Sequence, residues 1–202
     1  ERMKPLYLAV SLPPDFIYPE SSPRGRLLDE VILPFCRASR RPFAPMVGVK
    51  KLLNPKLRLA GDGVGKSSIE AIESLCVKNP EVKFLVTLLS RENQHELIVA
   101  ARKFGNLMVF GCWWFMNNPS LIREITRMRL EMLGLSFVPQ HSDARVLDQL
   151  IYKWDHSRRV IGETLINKYT DLAATGWKVT EEEVRSDLER LLYRNFEEFV
   201  GV

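Results

Sequence analysis

The sequence predicts an α/β protein whose parallel sheet is covered by helices on both faces. Two observations predict it: segments of strand length alternate with amphipathic helical segments, and the strand segments are apolar throughout. Strands that are buried on both faces need this composition, whereas half-exposed strands alternate apolar with polar residues. A chain of 202 residues is long enough for one domain with a substantial core, so we expect a single α/β domain over residues 1–202.

Five apolar segments are expected to form strands, and a sixth segment is expected to form a short one. The five cover residues 6–12, 43–49, 83–89, 107–112 and 135–140, and the short one covers 56–59. Each is followed by a loop or a helical segment before the next begins. This regular spacing is typical of repeated strand–helix units.

Apolar residues at helical spacing predict helices over 26–36, 67–77, 92–104, 145–174 and 180–199. A further helix is expected to begin at Asn118-Pro119 and to end at Gly134. Asparagine caps a helix well, and proline costs nothing at the first helical position, where its N–H would have no partner. The expected inner stripe of this helix is Leu121, Ile125, Met128 and Met132.

Composition excludes several classes of protein. An apolar content of 46% and a charged content of 27% describe an ordinary globular chain, not a disordered one. The net charge of +4 is mild, and the densest basic stretch, around Arg37, Arg40 and Arg41, lacks interleaved aromatics. We therefore interpret it as solvated surface and expect no nucleic-acid partner.

Three cysteines and a lack of long apolar runs favour a cytoplasmic location. Cys36, Cys76 and Cys112 are odd in number and match no metal or redox spacing, so we expect reduced, buried thiols. No amino-terminal signal pattern is recognised, and the longest apolar run, near 107–116, is too short to cross a bilayer. No membrane partner is expected.

The candidate chemistry follows the last two strands. After residue 140 come His141, Asp143 and Arg145, which lie two apart and would share one face of an extended segment. Asp143 could bind a metal or move a proton, or it could cap the next helix; the residues alone favour neither. Arg145 suits a substrate carboxylate but could equally form a surface ion pair. His141 could be a ligand, a neighbour of one, or a histidine satisfied by the core.

Two tryptophans and a further histidine complete the set. Trp113 and Trp114 cannot both face inward if the strand continues, so one is expected to pack in the core while the other walls a sugar pocket; both could instead serve packing. His95 follows the end of another strand and could either face the site or lie in solvent.

A glycine-rich loop offers an alternative function. The stretch from Ala60 to Ser67 fits a loose phosphate-binding loop, with Gly65-Lys66-Ser67 at its end. Alanine stands where the pattern has its first glycine, and neither of the next two predicted strands ends in an aspartate that could hold magnesium. A tight turn before a capped helix explains the same residues. The alternative is a nucleotide-binding α/β domain.

The sequence also resembles a known family. GCWWFMNNPS and QHSDARVLDQLIYKWDHSR, together with SRENQHELIVAARKFGNLMVFG and RLAGDGVGKSSIEAI, resemble the C-terminal part of uronate (glucuronate) isomerases, a branch of the amidohydrolase superfamily. The resemblance covers about Lys4 to the C-terminus. It implies the C-terminal part of a (β/α)8 TIM barrel, about strands 4–8 with the C-terminal helices, since a complete barrel takes roughly 250 residues.

The resemblance implies a reaction and roles for the site residues. The reaction would interconvert D-glucuronate with D-fructuronate and D-galacturonate with D-tagaturonate. Asp143 would be a metal ligand and catalytic residue, and Arg145 would act in catalysis and hold the hexuronate. Trp113 or Trp114, with His95 and His141, would line the substrate pocket. The resemblance also implies a divalent metal cofactor, zinc.

One departure from the family bears on activity. The family's metal site begins with a His-x-His pair on the first barrel strand, and no such pair occurs here. The remaining metal ligands are therefore expected to be absent from this chain. We expect the isolated 202-residue chain to be incompetent as an isomerase, and to form a homo-oligomer or to be complemented by an N-terminal half.

Overall fold

Six strands and eight α-helices make up the fold of the described residues, 4–144 and 146–202, in this computed structural model. The strands are β1 (Leu8–Leu12), β2 (Phe43–Val47), β3 (Val49–Lys50), β4 (Gly63–Val64), β5 (Phe84–Leu88) and β6 (Leu107–Val109). The helices are α1 (Pro23–Leu27), α2 (Leu33–Ser39), α3 (Ile69–Lys78), α4 (Gln94–Ala101), α5 (Pro119–Leu133), α6 (Leu147–Ala174), α7 (Glu181–Glu189) and α8 (Asn195–Val200).

The main sheet has four parallel strands in the order β1, β2, β5, β6. Phe43 stands opposite Leu8 on one side and Phe84 on the other, and Phe84 stands opposite Leu107. Every residue of β5 is buried, as its apolar composition requires. The sheet confirms the predicted α/β class with parallel strands.

Short helical turns fill several connections. A π-helical turn, Leu28–Ile32, joins α1 to α2, and another, Arg190–Arg194, joins α7 to α8. Single 3-10 turns precede α4 and α5, at Arg91–Asn93 and Trp114–Met116. The predicted helices over 26–36 and 180–199 are therefore real but broken by these turns.

Two strand predictions are wrong. Residues 56–59 lie in two 3-10 turns within Pro55–Gly61, which are separated by a kink at Arg58 with a φ of +51°. Asn54 caps the first turn by accepting a hydrogen bond from the Lys56 N–H at 3.2 Å. Residues 135–140 do not form a strand; a single parallel bridge joins Val138 to Phe110. An apolar run is enough for burial, but a strand also needs a partner of matching length.

Helix α5 confirms its predicted ends but not its predicted face. Asn118 accepts a hydrogen bond from the Leu121 N–H at 3.1 Å, and Gly134 follows the helix with a φ of +59°. The buried residues are Ile122, Ile125, Thr126 and Arg129, whereas the predicted stripe shares only Ile125 with this set. The apolar methionines lie at the margin, because a buried arginine occupies the centre of the face.

The described chain divides into two compact units. The first comprises the residues up to Val109 together with Phe199–Val202, and the second comprises Phe110–Glu198. The core of the first is built on the sheet, where the rings of Phe43 and Phe84 meet edge to face at 6.5 Å. In the second, α5 packs along α6. The single domain over 1–202 stays a prediction.

Two further sequence predictions concern cysteines and membranes. Cys36, Cys76 and Cys112 are buried and unpaired, as predicted. Burial raises the pKa of the Cys36 thiol to about 11 and that of Cys76 to about 12. Among the helices of the described residues, none is both long and apolar enough to cross a membrane.

Candidate functional site

A direct backbone bridge brings the two predicted clusters together in the second unit. The Gly111 N–H donates to the Val138 carbonyl at 2.7 Å, beside the parallel bridge between Phe110 and Val138. Gly111 has a φ of +70°, and a Cβ built there would lie 2.4 Å from Cδ2 of His141. Only glycine allows the two chain segments to come this close.

The centre of the site is a hydrogen bond between the clusters. The indole Nε1–H of Trp113 donates to Oδ2 of Asp143 at 2.5 Å. Trp113 is only 3% exposed, whereas Asp143 is exposed. The carboxylate is thus held by a buried donor while it remains open to solvent, which is the arrangement expected of a group that meets a ligand.

The backbone around this pair adopts an unusual conformation. Asp143 has a φ of +42° and Trp114 a φ of +47°, both in the left-handed region that residues other than glycine rarely adopt. Such conformations cost free energy and cluster at functional sites. Lys153 of α6 helps to hold the backbone at Asp143, because its Nζ donates to the carbonyls of Ser142 at 2.7 Å and Asp143 at 3.2 Å.

The two tryptophans have different surroundings. Trp113 is buried and contacts Asp143, whereas Trp114 is half-buried and stacks on Phe115 with the ring centroids 4.4 Å apart. The centroids of the two indoles lie 6.0 Å apart. Core packing and contact with the site therefore fall on the same residue, Trp113.

His141 lies in the same cluster in a neutral form. Its ring stacks on Phe110 with centroids 4.6 Å apart, and its Nε2 is buried. Burial lowers the pKa of His141 to about 4, although the nearby Asp143 carboxylate acts in the opposite direction. The imidazole is therefore uncharged near neutral pH.

Two further predicted site residues are Arg145 and His95. Arg145 lies outside the described residues. His95 belongs to the first unit, where it is exposed in the first turn of α4.

Sequence reasoning missed three polar residues of the site. His156 is half-buried, with its Nε2 2.8 Å from Oδ1 of Asn117 and its ring stacked on Tyr152. Lys153 precedes it by three positions, so both share a face of α6, and that spacing was the available signal. Arg129 is buried and donates to the Gly111 carbonyl at 2.9 Å. No local pattern pointed to it.

The described residues do not by themselves make a metal centre. Over 4–144 and 146–202, no three His, Cys, Asp or Glu side chains are grouped so that they could hold a metal ion. Asp143 offers one carboxylate, with one oxygen already accepting from Trp113. This donor set supplies one ligand where a structural or catalytic zinc needs three or four.

The structure does not support the nucleotide-binding alternative. Gly61 ends a 3-10 helix, and Gly63–Val64 form a strand that pairs antiparallel with β3. The Gly65 N–H donates to the Gly48 carbonyl at 2.9 Å, and the Ser67 N–H donates to Oδ1 of Asn93, also at 2.9 Å. A phosphate-binding loop needs such N–H groups unoccupied.

Comparisons with solved structures reveal strong similarity. The chain is 61% identical to the uronate isomerase from Bacillus halodurans C-125, with a TM-score of 0.96 over 99% of this chain and 47% of that one. The uronate isomerase from Thermotoga maritima is 14% identical, with a TM-score of 0.75 over 96% of this chain and 49% of that one. The glucuronate isomerase from Caulobacter crescentus is 16% identical, with a TM-score of 0.78 over 96% and 47%.

The last two likenesses show the fold alone. No protein-family model matches the chain, and no curated protein sequence does. The chain spans about half the length of the solved structures it matches. The comparisons confirm the predicted resemblance: over almost all of its length, this chain is similar to the C-terminal half of a uronate isomerase.

Proposed function

We propose that this chain forms part of an enzyme that interconverts aldo- and keto-hexuronates, as uronate isomerases do. The pairs would be D-glucuronate with D-fructuronate and D-galacturonate with D-tagaturonate. The observation that carries the proposal is the 61% identity to a uronate isomerase over 99% of this chain. The hydrogen bond from Trp113 to Asp143 also supports the proposal, because it positions a carboxylate that could transfer a proton.

The reaction needs a positioned base. In the open-chain sugar acid, a proton leaves C2 and a proton is added at C1, while the hydroxyl proton on O2 is transferred to O1. Atoms and charge balance without an oxidant. A carboxylate can carry the carbon-bound proton when it lies within hydrogen-bond reach of the reacting carbons.

Asp143 is suited to that role because one of its oxygens is fixed. Trp113 binds Oδ2, and Lys153 binds the carbonyl of the same residue, so the orientation of the carboxylate is set from two sides. Oδ1 would face the substrate. Preorganisation of this kind lowers the barrier because the group does not have to be ordered during the reaction.

The other predicted residues would bind the substrate. The Arg145 guanidinium would grip the sugar acid's carboxylate through two parallel hydrogen bonds. Neutral His141 would offer a dipole instead of a charge, since its pKa is about 4.

A divalent metal would polarise the substrate oxygen that gains negative charge, and the family resemblance implies that this metal is zinc. Asp143 would provide one of its ligands. The other ligands would come from outside the described residues, so no step above depends on the ion.

A partner chain would complete the site. In the main sheet, β1 pairs with β2 on one side and is an edge strand on the other. Edge strands present unpaired N–H and C=O groups that readily pair with another chain. We propose complementation by an amino-terminal half, or by a second copy, and a cytoplasmic location that suits three unpaired thiols.

The test grafts this chain into a relative. In the Bacillus halodurans enzyme, the matched half is replaced by the 202 residues, and turnover of D-glucuronate and D-galacturonate is measured with zinc present. The chimera should turn over at least one of them. In the chimera, Asp143→Asn should reduce kcat by about a thousandfold, by analogy with loss of a general base, whereas Lys66→Ala should leave it unchanged.

Two results would contradict the proposal. A folded chimera that binds zinc but has no isomerase activity would show that this chain cannot form the site. An Asp143→Asn chimera with full activity would remove Asp143 from the mechanism. The isolated 202-residue chain should be inactive, and turnover by it alone would contradict the need for a partner.

A further inference from the structure

A charged cavity lies in the first unit, and none of its lining residues belongs to the Asp143 cluster. Its volume is about 590 Å³, and its charged lining consists of Arg37, Arg40, Arg41, Glu81 and Lys83. This volume falls in the range of small-molecule sites. The basic stretch that we interpreted from sequence as solvated surface is thus folded around a concavity.

Three elements bring these cations together. Helix α2 ends at Ser39, and Arg40 follows with a φ of +55°, which turns the chain so that Arg41 leads into β2. Lys83 comes directly before β5, and its carbonyl accepts from the Phe43 N–H at 2.9 Å. The amino ends of two neighbouring strands therefore place Arg41 and Lys83 side by side.

The positive charge in the cavity is only partly neutralised. Arg37 forms an ion pair with Glu81, and it also donates to Oδ1 of Asn79 at 3.3 Å. A hydrogen bond from its own backbone N–H, and then Arg37, lower the pKa of Glu81, so this carboxylate remains ionised. One carboxylate thus offsets one of the four cations.

The remaining three cations have no acidic partner among the described residues. Lys83 donates to the Phe199 carbonyl at 2.8 Å and lies 5.2 Å from the centroid of the Phe199 ring. Neither contact cancels its charge. Neither Arg40 nor Arg41 forms an ion pair with any Asp or Glu within 4–144 and 146–202.

Stabilisation of the end of α2 explains only part of this arrangement. The negative end of a helix dipole favours a cation there by a few tenths of a kcal/mol to about 1 kcal/mol. Arg40 could serve that purpose. Lys83 comes from a separate strand, however, and Arg41 already lies beyond the turn.

We propose that this cavity binds a phosphate group, either as inorganic phosphate or as a phosphomonoester on a small molecule. Two guanidinium groups can each donate two parallel hydrogen bonds to phosphate oxygens, and an ammonium adds a point charge. The site is independent of the Asp143 cluster and of the isomerase reaction.

Isothermal titration calorimetry of the purified protein tests the proposal, with inorganic phosphate and glycerol 3-phosphate as separate ligands at constant ionic strength. Arg40→Gln/Arg41→Gln should weaken binding at least about tenfold, since each lost bidentate contact removes a charge-assisted pair. Arg26→Gln/Arg102→Gln removes the same charge from two exposed arginines of this unit and should not change the affinity. A tighter affinity for glycerol 3-phosphate would identify the phosphomonoester as the ligand.

Other variants and ligands make the test decisive. Arg40→Lys/Arg41→Lys keeps the charge but loses the fork geometry, so its affinity should lie between those of the wild type and the glutamine variant. If the glutamine variant does not fold, unchanged affinity in the lysine variant contradicts the proposal. So does a lack of binding by the wild type, an equal loss in the control variant, or much tighter binding of a single-stranded oligonucleotide than of either phosphate.

Discussion

The hydrogen bond between Trp113 and Asp143 should contribute measurably to the stability of the second unit. Its donor is buried and its acceptor is a carboxylate, with 2.5 Å between Nε1 and Oδ2. Hydrogen bonds to charged groups contribute about 1.5–3 kcal/mol, and exposure of the carboxylate lowers this to about 1–2 kcal/mol. We therefore expect a coupling free energy of about 1–2 kcal/mol between the Trp113 and Asp143 side chains.

A double-mutant cycle isolates that free energy. Trp113→Phe removes the donor and some buried ring area, and Asp143→Ala removes the acceptor and a residue that tolerates positive φ. Each single change therefore costs more than the hydrogen bond, but the extra costs cancel in the cycle. The free energy of unfolding is measured by urea denaturation for the wild type, both single variants and the double variant.

A matched control pairs Trp114→Phe with Asp143→Ala. Trp114 stacks on Phe115 and makes no described hydrogen bond to Asp143, so this cycle should be additive within about 0.5 kcal/mol. If the Trp113 cycle is also additive within that limit, the central contact of the site does not exist in solution. Trp113 would then not orient the Asp143 carboxylate.

Three further predictions concern the same unit. Burial lowers the pKa of folded His141 to about 4, so this side chain is protonated at a higher pH in the unfolded chain than in the folded one. The free energy of unfolding should therefore fall as the pH drops from about 6.5 towards 4, by up to about 1.4 kcal/mol per pH unit. His141→Phe should remove this dependence when urea denaturation is measured across that pH range. Gly111→Ala should lower the free energy of unfolding in urea by at least about 2 kcal/mol, since the new Cβ adds left-handed backbone strain and clashes with His141. As the control, Gly162→Ala should leave this free energy unchanged or raise it by up to about 1 kcal/mol, because a Cβ at Gly162 has no neighbouring atom within 4 Å. Asn118→Ala should cost about 1 kcal/mol of unfolding free energy through loss of the α5 cap, and an unchanged value would mean that the cap is frayed.

Local patterns in the sequence were sufficient for many elements of the fold. The apolar run around Phe84–Leu88 predicted a strand buried on both faces, and the structure confirms it. Asn118-Pro119 and Gly134 predicted where α5 begins and ends, because capping depends on residues only a few positions apart. The pairing of the strands as a parallel sheet also followed from their composition.

The sequence singled out both partners of the central hydrogen bond, but not the bond itself. Asp143 and Trp113 were chosen because they follow strand-like segments, and the structure brings them into contact. Their hydrogen bond depends on the bridge between Phe110 and Val138, which joins segments 28 positions apart along the chain. The likeness to uronate isomerases came from the same motifs and was confirmed over 99% of the chain.

Sequence by itself determined the elements with strong local signals, the class of fold and the family resemblance. Only the tertiary structure decided that residues 135–140 make one bridge instead of a strand, and that the centre of the α5 face is Arg129. Likewise, it gathered Arg40, Arg41 and Lys83 around one cavity. The physical reason is that strand pairing, burial of a charge and convergence of cations depend on contacts between residues far apart in the chain, which no local pattern contains.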